Sequence, residues 1–247
     1  MFLFCWPLGC DLKIVITKIT DYSDEHGNVI LSPSKFEAGL KVVFSGKNNR
    51  LVIHPGFKPS NVVIAFNCDN GVCEIGKNSY SGTIRVGQDC KVKLGDGVTT
   101  TSPGYISTAE GSSVTVGNDV MIASTVELRS DDGHPIFDVA TRERINKPKD
   151  IVIEDHVWLG ATAIVLGGSL IREGSVVGIG SIVKGKFPNN CVIAGSPARV
   201  VRKNVAWERP HLTLTKPYYK NSPDSIPLTD YWNMTVEDEL TAEKPED

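Results

Sequence analysis

The sequence has little of what points to a metal centre, a nucleic-acid partner or a two-domain chain. Its six cysteines form no C-x-x-C pair and no zinc-like spacing, so buried free thiols in a reducing compartment are the expected state. The formal net charge is only −3, which gives no reason to propose nucleic acid as a partner. No linker-like stretch interrupts the middle of the 247 residues, which favours one domain with terminal caps.

A long hydrophobic segment is missing as well. The apolar run from Met1 to Cys10 has no basic residue before it and is too short to span a bilayer. We interpret it as a strand or cap at the start of the fold. With no export signal in the sequence, the expected location is the cytoplasm.

What the sequence does contain is a six-residue repeat through 151–185. Aliphatic residues occupy every sixth position, and a small or β-branched residue follows four places after each of the first five. The aliphatic positions are Ile153, Leu159, Val165, Ile171, Val177 and Val183, and the small positions are Val157, Ala163, Ser169, Ser175 and Ser181. Neither the helical period of 3.6 nor the strand period of 2 explains this pattern. It predicts an all-β solenoid in which three hexads close one triangular coil and coils stack about 4.8 Å apart.

One long loop interrupts the repeat. Val116, Ile122 and Leu128 keep the spacing of six, yet the register resumes only at Ile153, so about nineteen residues are inserted. Long loops on repeat folds tend to carry function. We therefore predict an N-terminal cap or irregular first coils over 1–50 and a β-helix over 51–205 with the loop at about 130–150. An irregular C-terminal extension follows over 206–247, and its last dozen residues are acidic and expected to be disordered.

His134 is the candidate catalytic residue of the loop. A lone histidine is usually a surface or packing residue, but this one stands where the wall gives way to the insertion, at the edge of an expected cleft. Imidazole has an unperturbed pKa of about 6.5, so at neutral pH it can take a proton from a hydroxyl nucleophile.

Trp158 is the second candidate. It precedes an interior aliphatic residue, at the position where neighbouring hexads carry aliphatic residues such as Ile164 and Val176. An indole there projects outward, beside the loop. It is either a packing residue at a subunit interface or an aromatic wall with one N–H donor in a substrate cleft.

Basic residues accompany the histidine. They are Arg129, Arg142, Arg144, Lys147 and Lys149. Such a charge run is either a solvated face or a basic rim for an acidic glycan, because guanidinium pairs well with carboxylate. On the second interpretation, Arg129, Ser130, Arg142 and Arg144 are the candidate substrate-binding residues.

Three segments together resemble a known family. They read GHPIFD (133–138), RERINKPKDIVIEDHVWLG (142–160) and VIAGSPARVVRKNVAW (192–207). Over roughly residues 105–210 the chain resembles the left-handed parallel β-helix, hexapeptide-repeat acetyltransferases, and within them the bacterial capsule O-acetyltransferases that modify polysialic acid. The resemblance implies O-acetyl transfer from acetyl-coenzyme A to a sugar hydroxyl of a capsular or other cell-surface polysaccharide, with no metal required.

The resemblance also implies roles for residues. His134 matches the general base, and Trp158 helps to position the acetyl thioester and the acceptor. Acetyl-coenzyme A lies along a groove between adjacent subunits of a homotrimer. Its expected contacts are Gly133, Pro135, Gly160, Ala161, Gly178, Gly180, Lys184, Arg202 and Lys203. Asp131, Asp132 and Glu143 are all possible orienters of the imidazole. Direct transfer is expected, because no activated serine or cysteine stands next to the base.

Rival functions remain open at this point. One is N-acetylation of an amino sugar nucleotide, and another is a non-catalytic β-helix that only binds partners. A zinc carbonic anhydrase on the same fold needs three histidines around one metal, and His54, His134, His156 and His211 lack the spacing for it. His156 is expected at a solvent-facing corner instead.

Overall fold

The computed structural model describes residues 13–238, and within them the chain is all-β apart from one 3₁₀ helix, Pro223–Ser225. The first half of the strands is β1 (Ile14–Ile16), β2 (Tyr22–Ser23), β3 (Val29–Leu31), β4 (Leu40–Phe44), β5 (Arg50–Ile53), β6 (Lys58–Phe66), β7 (Val72–Ile75), β8 (Ser79–Val86), β9 (Lys91–Leu94), β10 (Thr99–Thr100), β11 (Gly104–Ser107) and β12 (Ser113–Val116). The second half is β13 (Met121–Ile122), β14 (Glu127–Arg129), β15 (Ile151–Ile153), β16 (Trp158–Leu159), β17 (Ile164–Leu166), β18 (Leu170–Ile171), β19 (Val176–Val177), β20 (Ile182–Val183), β21 (Lys186–Phe187), β22 (Cys191–Gly195) and β23 (Ala198–Lys203). No helix in this part of the chain has the length and apolar character needed to cross a membrane.

The strands form the three faces of a parallel β-helix, which confirms the predicted fold class. The first face stacks β3, β5, β7, β9, β12, β15, β18 and β21. The second face stacks β10, β13, β16, β19 and β22, and the third stacks β11, β14, β17 and β20. The long strands β6 and β8 run along both the second and the third faces. At the two ends the pairing is antiparallel, β1 with β4, β2 with β3 and β22 with β23.

The interior is filled by the residues that the hexads place there. All six aliphatic positions from Ile153 to Val183 are fully buried. The small positions are buried too, and their hydroxyls are satisfied at the corners; Ser169 Oγ, for example, donates to the Leu166 carbonyl at 2.7 Å. The core is therefore one continuous column of apolar side chains, in which each coil covers the next.

The three corners of the triangle differ, and each receives its own name. The loop corner lies between the third and first faces, where Ser130 and Lys149 flank the insertion. The extension corner lies between the first and second faces and stacks Gly97, Asp119, His156, Gly174 and Asn190. The glycine corner lies between the second and third faces and stacks Ala123, Gly160, Gly178 and Ala194. These corners decide where the candidate site residues lie.

The insertion sits at the loop corner. A coil of three hexads has 18 residues, which is the separation of Ser112 and Ser130, whose hydroxyls meet on successive coils. The coil with the insertion has 37 residues, which is the separation of Ser113 N and its acceptor Asp150 Oδ1. The insertion is therefore about nineteen residues long, as predicted.

The C-terminal extension covers the extension corner. Arg209 reaches Asp119 Oδ1 with Nε at 2.5 Å, and Asn190 Nδ2 donates to the Tyr231 carbonyl at 2.6 Å. Val236 N donates to Asn189 Oδ1 at 2.8 Å, so the expected disorder of the last dozen residues does not hold at 236–238. Residues 239–247 lie outside the described part of the chain, as does the apolar run from Met1 to Cys10.

The cysteines behave as expected where they are described. Cys73, Cys90 and Cys191 are buried free thiols, and Cys68 is a half-buried one. Burial raises the pKa of the Cys73 thiol, which keeps it protonated and unreactive. Cys5 and Cys10 belong to the residues not described.

Gly82 gives a test of how closely the coils stack. A Cβ atom on Gly82 in β8 would lie 2.3 Å from the Gly104 carbonyl oxygen in the next coil, and its φ is 137°. We expect Gly82→Ala to lower the free energy of unfolding by about 3–5 kcal/mol. Gly111 is the matched control, because its φ of 78° is also left-handed but a Cβ there meets nothing within 4 Å; Gly111→Ala should cost about 1 kcal/mol. Urea unfolding followed by circular dichroism measures both, and equal losses would contradict the stacking argument.

Candidate functional site

The loop at 130–150 is a small hairpin with its own internal bonds. Phe137 pairs with Arg144 across it, and Asp138 Oδ1 accepts from the backbone N–H groups of Ala140 and Thr141 at 2.8 and 2.7 Å. Those N–H groups hold the pKa of the Asp138 carboxyl below its ordinary value. Asn146 joins the hairpin base, accepting from Ile136 N at 2.7 Å. The loop is therefore a defined structure and can present a side chain in a fixed direction.

His134 is exposed at the base of this hairpin. Its carbonyl oxygen accepts from Asn146 Nδ2 at 2.8 Å, which fixes the backbone. Among residues 13–238 no hydrogen bond or ion pair is recorded for its imidazole ring. None of the three possible orienters contacts the ring in residues 13–238. Asp131 accepts from Ser107 Oγ at 2.8 Å, and Asp132 accepts from Asn146 Nδ2 at 2.9 Å.

Two of the predicted substrate-binding residues, Ser130 and Arg129, belong to the wall of the β-helix, and the other two lie on the loop. Ser130 is buried, and its hydroxyl contacts Ser112 Oγ at 2.7 Å, so it supports the wall and is not available to a substrate. Arg129 is held by Glu127 at 2.5 Å and stacks over Tyr105, and the bond to Glu127 raises the pKa of the guanidinium.

The two loop arginines also differ from each other. Arg144 binds both carboxylate oxygens of Glu110 at 2.8 and 2.7 Å, which ties the hairpin to the preceding coil. Arg142 is exposed at the hairpin turn with a φ of 60°. No side-chain contact is recorded for Arg142 within residues 13–238. It is therefore the loop arginine best placed to meet an acidic ligand.

Trp158 lies on the second face, in β16, with 37% of its surface exposed. Its neighbours in the stack are Met121 below and Val176 above. Its recorded ring contact is with Trp207, whose centroid is 5.9 Å away at an angle of 47°. Trp207 comes from the C-terminal extension, so the extension forms one side of the surface around Trp158.

The prediction that His156 faces solvent is wrong. It is 1% exposed, sandwiched between the rings of Trp207 at 4.2 Å and Tyr231 at 4.5 Å. Its Nδ1 contacts Asp119 Oδ2 at 2.6 Å, and its Nε2 contacts the Trp207 carbonyl at 3.0 Å. The expectation was wrong because the extension covers this corner, and the ring serves to fasten the extension.

The sequence does contain a signal for His156, in the turn residues that stack at the extension corner. The corresponding positions of the other coils are Gly97, Asp119, Gly174 and Asn190, residues that tolerate the left-handed backbone of this corner. His156 adopts it as well, with a φ of 52°. A histidine in a column of glycine, asparagine and aspartate indicates that its side chain is needed there.

The small residues predicted to meet the coenzyme gather at the glycine corner. Gly160 N donates to the Val177 carbonyl and Gly178 N to the Ile193 carbonyl, both at 2.8 Å, while Gly180 N donates to the Ala161 carbonyl at 2.9 Å. A Cβ on Gly160 would lie 2.6 Å from the Val177 oxygen, so only glycine fits. The corner is a narrow ledge along which an extended chain can lie close to the backbone.

The other predicted coenzyme contacts are scattered. Gly133 and Pro135 are exposed beside His134 on the loop, and Lys184 is exposed after β20, at the loop corner. Lys203 lies opposite Cys191 and pairs with Glu237 at 2.7 Å, at the extension corner, with Arg202 beside it. Arg199 lies opposite Ala194 and is the basic residue of β23 nearest the glycine corner. Sequence reasoning missed it because the turn between β22 and β23 reverses the strand.

One chain alone does not bring His134 and Trp158 together. His134 belongs to the loop corner, whereas Trp158 lies on the second face, the one face of the triangle that this corner does not touch. Two cavities among residues 13–238, of about 330 and 290 Å³, are lined by neither residue. Over the same residues no cluster of three histidine, cysteine or acidic side chains could hold a metal ion.

Two apolar surfaces lie on these opposite sides. The hairpin exposes Phe137 and Val139, the latter at 95%. Around Trp158 the glycine corner exposes Ile179 at 77%, with Ile182 beyond it. A head-to-tail contact between copies pairs two different surfaces of one chain in this way.

Comparison with known proteins gives the following relatives. No family model matches the chain. A curated polysialic acid O-acetyltransferase of Escherichia coli O1:K1 / APEC is 40% identical over 136 residues, which cover 55% of this chain and 44% of that protein. The chain thus spans less than half the length of this curated relative.

Solved structures give broader matches. The crystal structure of the polySia-specific acetyltransferase NeuO matches with a TM-score of 0.64 and 38% identity, over 66% of this chain and 76% of that one. The polysialic acid O-acetyltransferase OatWY matches with a TM-score of 0.59 and 32% identity, over 69% of this chain and 82% of that one.

Proposed function

Because the chain belongs to the hexapeptide-repeat acetyltransferase family that includes the polysialic acid O-acetyltransferases, we propose that it transfers an acetyl group from acetyl-coenzyme A to a sugar hydroxyl of a cell-surface polysaccharide. The observation that carries the proposal is the state of His134. Its ring is exposed on a structured loop and has no recorded partner in the described chain, which leaves an imidazole nitrogen available to a substrate.

His134 acts as the general base in this proposal. A sugar hydroxyl is a weak nucleophile, so the imidazole takes its proton while the oxygen attacks the thioester carbonyl carbon. The tetrahedral oxyanion then collapses, the carbon–sulfur bond breaks, and the imidazolium returns the proton to the departing thiolate. Holding both substrates side by side removes on the order of 7–11 kcal/mol of the barrier in well-oriented cases.

Trp158 supplies an aromatic surface and an N–H donor at the reacting group. No hydrogen bond is recorded for its indole within the described residues, and the side chain is partly exposed. An N–H that points at the developing oxyanion stabilises the transition state more than the ground state. The ledge of Gly160 and Gly178 runs along the corner next to it and suits the extended pantetheine arm.

The site forms between protomers of a homotrimer. The loop of one protomer brings His134 to the second face of its neighbour, where Trp158 lies. The apolar hairpin around Val139 and the apolar surface around Ile179 would cover each other in such a contact. A head-to-tail contact that closes after three copies buries both surfaces and makes three equivalent sites.

The acceptor in this proposal is an acidic glycan, and Arg142 tests it. Arg142→Ala should raise KM for polysialic acid about three- to tenfold, leave KM for acetyl-coenzyme A unchanged, and lose its effect as salt is added. Arg144→Ala is the comparison, because loss of its bond to Glu110 loosens the hairpin and should lower kcat with any acceptor. An equal change of both KM values in the Arg142 variant would argue against an acidic acceptor.

An acceptor screen tests the proposed function as a whole. The purified protein is incubated with isotopically labelled acetyl-coenzyme A and either polysialic acid, neutral polysaccharides or amino sugar nucleotides, and the products are read by mass. An acetyl ester is released by mild alkali and an amide is not, which separates O- from N-transfer. Labelled amide on a nucleotide sugar, or no labelled product with any acceptor, would contradict the proposal.

A further inference from the structure

The C-terminal extension contains a cavity that the reaction described above does not use. It has a volume of about 290 Å³ and is lined wholly by residues between Ala206 and Trp232. Two indoles, Trp207 and Trp232, contribute to its wall. Small-molecule pockets have volumes of about 300–1,000 Å³. This cavity is at the lower end of that range, with room for one small ring.

The walls of the cavity are held in place by their own hydrogen bonds. Glu208 Oε1 accepts from Trp232 Nε1 at 2.8 Å and from Thr229 N at 2.7 Å. Lys220, which also lines the cavity, donates from Nζ to three carbonyl oxygens of the loop before it, at distances from 2.6 to 3.2 Å. The cavity is thus preformed, which reduces the ordering cost of binding.

The cavity shares a wall with the surface around Trp158. The Trp207 ring lies 5.9 Å from the Trp158 ring and stacks on His156 at 4.2 Å. Its Nε1 donates to the His156 carbonyl at 3.0 Å, so the indole cannot turn away. The glycine corner lies beyond the other edge of the second face, so Trp158 stands between the expected position of the donor and this cavity.

We propose that this cavity binds one pyranose ring of the acceptor glycan, next to the sugar that is acetylated. The indole of Trp232, which is 44% exposed, offers a flat apolar surface to the C–H face of a ring, and the buried Trp207 supports the wall behind it. The Asn221 amide lines the same cavity and offers hydrogen-bond partners to the ring hydroxyls. The inference rests on the proposed function, since it takes its ligand from the acceptor of that reaction.

Binding without turnover tests the subsite directly. The protein carrying His134→Gln is titrated with sialic acid oligomers by calorimetry. Adding Trp232→Ala, which removes an indole wall, or Ala206→Leu, which fills the cavity, should raise Kd about tenfold. Tyr219→Ala is the matched control, because this aromatic residue belongs to the same extension, is 84% exposed and does not line the cavity; its Kd should not change.

Two further measurements separate binding from folding. Trp232→Phe keeps a ring but loses the bond to Glu208, so it should retain most of the oligomer affinity if the ring face is what matters. Coenzyme A binding should be equal in all variants, which shows that the rest of the molecule is intact.

Each outcome either supports or overturns the proposed subsite. If the Trp232→Ala and Ala206→Leu variants bind the oligomers as tightly as the parent does, or if the parent binds none, the subsite is overturned. If they lose binding while the wild-type protein transfers no acetyl group, the subsite stands and the proposed function fails.

Discussion

Replacing His134 with alanine is expected to lower kcat for acetyl transfer by about 10²–10⁴-fold, the usual contribution of a general base. The fold should be unaffected, because the exposed ring has no recorded partner in residues 13–238 and the one bond recorded for this residue, to Asn146, uses its carbonyl oxygen. Initial rates with saturating acetyl-coenzyme A and polysialic acid give kcat, and thermal unfolding gives the stability.

The control for this variant is Val139→Ala, a change on the same hairpin at a side chain that is 95% exposed. It removes apolar surface but no proton acceptor, so it can weaken assembly, while kcat per assembled trimer should be unchanged. A His134→Ala protein that keeps its kcat and only raises KM would show that the imidazole binds a substrate and moves no proton.

The core of the β-helix could be predicted from the sequence because a single geometric rule fixes it. Each interior position from Ile153 to Val183 is set by the six-residue period, and all are buried. The rule weakens in the early coils, where Asn49 and Gly71 meet 22 residues apart and the long strands β6 and β8 pass a corner without a break. A bulge between Pro59 and Val62, with Asn61 in the left-handed region, accommodates the extra residues of this coil. No six-residue period in the sequence predicts where they lie.

The position of the C-terminal extension could not be predicted, because contacts between residues far apart in sequence decide it. His156 meets Trp207 across 51 residues, and Arg209 meets Asp119 across 90. Such contacts leave no periodic trace. The extension matters for the candidate site, since it supplies the wall beside Trp158 and the cavity next to it.

The sequence predicts the candidate site residues and a groove between subunits, but it places Trp158 beside the loop, which is not where the structure has it. His134 and Trp158 belong to neighbouring segments of the chain, which suggests proximity, yet the triangular coil puts them on opposite sides. Under the proposed mechanism, His134 and Trp158 can share one site only where two copies meet. The oligomeric state is therefore part of that proposal.

Mixing two inactive variants tests that arrangement. His134→Ala and Trp158→Ala proteins, the second lowered about 10²–10³-fold by loss of the N–H donor, are co-expressed with different tags. Every mixed ring of three contains one junction where an intact His134 faces an intact Trp158. With random assembly, about a quarter of the wild-type number of sites should return, whereas a site within one chain returns none.

The matched control pairs His134→Ala with His134→Gln, because every junction of that mixture lacks the imidazole and no activity should return. Native mass spectrometry confirms that mixed rings have formed. If such rings form and remain inactive, the catalytic pair does not come from two neighbours. If activity returns only in mixed rings, one protomer supplies the base and the next supplies the surface that holds the thioester, so the isolated chain has no complete site.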